Sequence, residues 1–123
     1  MNLKPIHHNH SVCLLVYHFV TVTKCRKHEL LDPVTVELFT ESIRHYPLNI
    51  LVGEIMPDHV HFMIQAPTTM SPAQIAKVIK GCSQANIKKV LSSFSGWSKG
   101  YYISSVGGNS LEAVEHYIKN QKS

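Results

Sequence analysis

The stretch Met56-Pro57-Asp58-His59-Val60-His61-Phe62-Met63-Ile64-Gln65 constrains this chain more than any other. Val60, Phe62 and Ile64 alternate with His59, His61 and Gln65. A period of two is the mark of a strand with one face turned to a core. It puts both imidazoles on the same face, with Cα atoms roughly 6.5–7 Å apart at strand rise. Two neutral imidazoles at that separation can converge on one divalent cation or one phosphate. A half-exposed strand can equally carry two histidines without a role, and the three-residue pattern alone does not choose.

The rest of the chain reads as a regular succession around that strand. Cys13 to Thr23 is β-branched and aromatic on both faces, as in a central strand. A basic connection follows, and Asp32-Pro33 supplies a helix cap and first turn. Val36, Phe39, Ile43 and Tyr46 then recur at helical spacing until Pro47. Leu48 to Met56 reads as the second strand, Pro57-Asp58 as a turn, and His59 to Ala66 as an antiparallel third strand. Ser71-Pro72-Ala73-Gln74 is a capping box opening a second helix, with Ile75, Val78, Ile79 and Cys82 as its buried stripe. Lys77, Lys80, Gln84 and Lys88 share its polar face, for which solvation is the default reading. Ser92 to Gly100 is a loop with Trp97 as its anchor, and Tyr101 to Val106 a fourth strand. Gly107-Gly108 is a flexible break. Asn109 caps a C-terminal helix spanning 109–121. The order βαββαβ plus a terminal helix predicts an α+β fold, ferredoxin-like or RNA-recognition-like, with an antiparallel sheet and helices on one face. His59 and His61 then belong to the opposite face, expected to be open to a ligand. The scaffold serves many activities and does not name one.

Composition narrows the class. The 123 residues suit a single domain with a core of its own, 44% being apolar and 16% charged. No apolar run nears the about 18–20 residues that span a bilayer, and Met1-Asn2-Leu3-Lys4 lacks a signal-peptide hydrophobic segment. Three cysteines, odd in number and without ligand spacing, read as reduced thiols, so a cytoplasmic protein without a membrane partner is expected. A net charge of +4 and a pI near 9.0 permit a polyanionic partner without requiring one. His7, His8 and His10 fall in residues 1–11, read as a flexible polar segment.

The terminal helix adds a second set of chemical groups. Tyr117 and Gln121 are four residues apart, hence on one helical face. A tyrosine can attack a phosphodiester, although forming its phenolate at neutral pH costs about 4 kcal/mol against a pKa near 10. A cation on the scissile phosphate offsets such a cost. Gln121 offers a neutral oxygen beside two imidazoles, a mixed set that suits Mg²⁺ or Mn²⁺ more than a closed zinc site. Tyr117 also fits a packing role with Val114 and Ile118.

Taken together, Val16-Tyr17-His18, Thr23-Lys24-Cys25-Arg26, Met56 to His61, Lys80-Gly81, Gly100-Tyr101-Tyr102, Ser105-Val106-Gly107 and Tyr117 to Gln121 resemble a single-tyrosine HUH transposase of the insertion-sequence 200/605 family. HUH stands for His, a large hydrophobe, His. The resemblance implies that His59, His61 and Gln121 hold Mg²⁺ or Mn²⁺. It implies that Tyr117 cleaves hairpin-bearing single-stranded DNA, leaving a 5′-phosphotyrosine and a 3′-hydroxyl. It also implies a homodimer, and makes Lys24, Arg26, Lys27, Lys77, Lys80 and Lys88 candidate DNA contacts by charge. Cys25 departs from the aromatic common at its position. The alternative is a non-catalytic, domesticated single-stranded nucleic-acid-binding module on the same fold, which would not need His59, His61, Tyr117 and Gln121 together.

Overall fold

Short strands Ile6–His8 (β1) and Ser11–Cys13 (β2) pair antiparallel at the start of the chain, an element too brief to show a period in the sequence. The computed structural model describes residues 6–8, 11–13 and 15–106. The glycine break, the helix expected over 109–121, Tyr117 and Gln121 lie outside the described residues. Leu15–Val22 forms β3, Val36–Ser42 α1, Asn49–Met56 β4, His59–Ala66 β5, Pro72–Val90 α2 and Tyr102–Ser105 β6. Lys24–Arg26 is a single 3₁₀ turn.

β4, β5, β3 and β6 make one antiparallel sheet in that spatial order, so β3 and β5 are the central strands. The α+β architecture read from the sequence is the observed one. Phe19 lies opposite Phe62 and Val20 opposite His61 across the central pair. Tyr17, Phe19, Val60, Phe62 and Ile64 turn to the helices and pack with Phe39, Ile75, Ile79 and Ile87 in the main core. The Phe39 and Phe62 rings meet edge to face, 4.8 Å between centroids.

Helix α2 begins as its sequence dictates. The Ser71 hydroxyl accepts from the Gln74 amide while the Gln74 side chain accepts from the Ser71 amide. α1 begins later than Asp32-Pro33 would place it. The Val34 amide donates to Leu31 O, closing a turn over Asp32 and Pro33, and Thr35 caps the helix by accepting from the Leu38 amide. The helix also ends at Ser42, leaving Tyr46 exposed. Burying Val34 and Phe39 against the sheet outweighs the capping preference of Asp32.

The second sheet face is not an open platform, which corrects the expectation for His59 and His61. Val16, Met63 and Val106 form a second apolar cluster with Leu51 and Val52, and His18, His59, His61 and Gln65 are all buried. Period-two alternation tells which face a side chain occupies, not whether that face is covered.

Candidate metal centre

Strand β5 sets His59 and His61 side by side as its alternation requires. Their ring centroids are 4.6 Å apart and their planes tilted by 37°. The two are 2% and 0% exposed. Asp58, in the turn before β5, directs Oδ1 at His59 Nδ1, 2.6 Å away. Burial pulls the Asp58 carboxyl upward, but hydrogen bonds from His59 and Arg26, with the charges of Arg26 and His59, hold it below its ordinary pKa. An ionised carboxylate only accepts, so Nδ1 carries the proton and donates it. In the neutral ring that leaves Nε2 with the free lone pair, and this buried atom has no hydrogen-bond partner among the described residues. A buried imidazole nitrogen without a partner is costly unless something else uses it. A carboxylate behind the remote nitrogen is also how metal-ligating histidines are usually held.

The donor set therefore fits a divalent cation. Among the described residues no group of three or more His, Cys, Asp or Glu could enclose a metal. A pair of imidazoles completed by one further ligand and by substrate oxygens is consistent with that. His18, on the same face, packs its ring edge to face on Tyr102 with centroids 5.1 Å apart. Burial, then the nearby charge of His61, lowers its pKa.

Of the six basic candidates, Lys24, Arg26 and Lys27 lie in or beside the 3₁₀ turn and Lys77, Lys80 and Lys88 on α2. Lys24, Lys77 and Lys88 are exposed. Lys27 donates to Ser95 Oγ at 3.2 Å. Lys80 is committed to the fold: its ammonium donates to the carbonyls of Ser98, Lys99 and Gly100 at 2.7, 3.0 and 3.4 Å, and burial lowers its pKa. Arg26 turns to Asp58, donating from Nε at 3.1 Å and Nη2 at 2.9 Å to Oδ2. The charge of Arg26 and the turn at Asp58 do not by themselves disclose this contact. The aspartate immediately before His59 was the available signal.

Trp97 anchors the 92–100 loop as expected, donating from Nε1 to Ser83 Oγ at 3.1 Å while its backbone amide donates to Gln84 Oε1.

An antiparallel sheet with two helices on one face is a fold shared with solved transposases. A crystal structure assigned to a transposase of Deinococcus radiodurans R1 superposes with a TM-score of 0.72 at 24% identity, covering 96% of this chain and 98% of that one. A REP-associated tyrosine transposase bound to a REP hairpin superposes at 0.59 with 12% identity, covering 94% and 68%. Residues 11–121 match the family described as Transposase IS200 like, and the chain belongs to that family. It is 26% identical over 117 residues to the ISDra2 transposase TnpA of Deinococcus radiodurans, covering 87% of this chain and 84% of that protein. It is 30% identical over 81 residues to the IS200 transposase of Salmonella typhimurium, covering 60% of this chain and about half (53%) of that protein. Among the described residues no helix is long and apolar enough to cross a membrane.

Proposed function

We propose that this IS200-like transposase cleaves and rejoins hairpin-bearing single-stranded DNA through Tyr117, at a Mg²⁺ or Mn²⁺ centre held by His59, His61 and Gln121. The observation that carries the reading is His59: Nδ1 is tied to Asp58, and Nε2 is buried with no hydrogen-bond partner among the described residues. The cation would neutralise charge on the scissile phosphate and orient its oxygens. The Tyr117 oxygen attacks phosphorus, and the bond from phosphorus to the 3′ oxygen breaks. The phenolic proton is balanced by the one the departing 3′-hydroxyl gains, and the 5′ phosphate stays on the tyrosine. Attack by another 3′-hydroxyl reverses the step and joins strands, so bond energy is conserved without an external source. The buried histidine face excludes bulk water, which strengthens the local electrostatics. The enzyme works in the cytoplasm as a homodimer.

The test uses a labelled single strand carrying a hairpin. Tyr117→Phe is expected to abolish covalent protein–DNA adducts while leaving hairpin retention intact, and adducts persisting in that variant would sink the assignment. His59→Ala is expected to lose divalent-metal-dependent cleavage. A wild-type protein that binds such strands tightly and never cleaves them is the binding module instead.

A further inference from the structure

Cys25 (φ 58°, ψ 21°) and Arg26 (φ 53°) are the non-glycine residues with positive φ among those described, and they are consecutive. L side chains disfavour this left-handed region, and it persists where the surroundings over-determine it. The buried Thr23 supplies much of that constraint. Its amide donates to Asp58 O at 2.9 Å and its hydroxyl to Lys27 O at 2.7 Å. The Lys24 amide donates to Gly96 O, and the Arg26 amide to Thr23 O.

The outcome of this unusual turn is the aim of one side chain. Both Nε and Nη2 of Arg26 reach Asp58 Oδ2, while Oδ1 is left for His59 Nδ1. Between these two side chains the carboxylate is divided, one oxygen to each. A two-donor contact to Oδ2 fixes the rotation of the carboxylate and so keeps Oδ1 against the imidazole. Lysine, a single point donor on a flexible stem, supplies the charge but not that orientation.

We infer that Arg26 is a positioning residue for the metal centre: through Asp58 it holds His59 as the Nδ1–H tautomer and leaves Nε2 as the coordinating atom. This rests on the metal reading of the His59–His61 pair. It also removes Arg26 from the DNA contacts that its charge implied.

The test needs no catalysis. Two-bond ¹H–¹⁵N spectra of the metal-free protein report the His59 tautomer, and Mn²⁺ titration followed by electron paramagnetic resonance reports affinity. Wild type is expected to show a protonated Nδ1 and a bare Nε2. Arg26→Ala is expected to mix the tautomers and weaken Mn²⁺ binding severalfold, short of the about 10–100-fold of losing a ligating histidine's own partner. Arg26→Lys, which keeps the charge should the alanine variant fail to fold, is expected to recover only part of the affinity. The salt dependence of hairpin binding should stay as in wild type. A slope reduced by about one, the mark of a lost phosphate contact, with the tautomer unmoved, makes Arg26 a DNA contact and overturns the inference. Wild type that binds Mn²⁺ while both variants keep its tautomer and affinity also overturns it. Wild type that binds no Mn²⁺ overturns the metal reading and this role with it.

Discussion

Gly53 of β4 shows how closely α1 is pressed onto the sheet, and Gly53→Ala measures it. A Cβ at that position would stand 2.9 Å from each γ-methyl of Val36 and 3.1 Å from Phe62 Cδ1. Distances below about 3 Å force something to move. Val36 is β-branched and stiff about χ1, and since both of its methyls are close, flipping the rotamer relieves one at most. Phe62 is fully buried against Phe39 and has nowhere to go. Relief therefore requires α1 to lift, loosening the Phe39–Phe62 contact. Overpacking of this kind costs about 1–3 kcal/mol. Replacing glycine in a strand returns roughly 0.5–1 kcal/mol of that through the unfolded chain. The expected net loss is about 0.5–2 kcal/mol, read from urea unfolding as a lower midpoint with an unchanged slope. In a double-mutant cycle Val36→Ala removes the clashing methyls, so Gly53→Ala should cost at least about 1 kcal/mol less in that background. Strict additivity of the two substitutions would refute the steric account.

Two further outcomes follow from the same packing and electrostatics. Trp97→Phe leaves the fully buried Ser83 hydroxyl without its indole donor and should destabilise by about 1–2 kcal/mol; thermal unfolding indistinguishable from wild type would contradict the role given to that bond. Because the folded-state pKa of Asp58 is depressed, its contribution is fully present above the ordinary carboxylate value of about 3.9 and is lost as pH falls through the lower folded value. The stability gap between wild type and Asp58→Asn should thus narrow below about pH 4 in thermal melts, and a gap constant down to pH 2 would exclude the linkage.

Much of the fold was legible because its determinants are local. Val60, Phe62 and Ile64 alternate with the histidines and do face the helices. Ser71 and Gln74 form the reciprocal cap that their spacing announces. The start of α1 misled because Asp32 is as good a cap in isolation as Thr35, and only the burial of Val34 and Phe39 separates them. Lysine spacing on α2 likewise pointed to a shared polar face. Lys80 instead spans 18–20 residues of sequence to hold three carbonyls of the 98–100 loop, an end-use that periodicity does not encode.

What the sequence by itself determined is the strand, the face shared by His59 and His61, and the order of elements that puts this strand at the centre of a sheet. Those follow from side-chain direction and local hydrogen bonding, which neighbours within a few residues decide. Tertiary structure alone decided that the histidine face is buried, that Gly53 lies against Val36, and that Arg26 reaches across 32 residues to Asp58. Burial and tautomer depend on groups brought together by chain closure. The pair His59-Val60-His61 carries its spacing in the sequence, but the Asp58 carboxylate against Nδ1 and the burial of Nε2 belong to the fold.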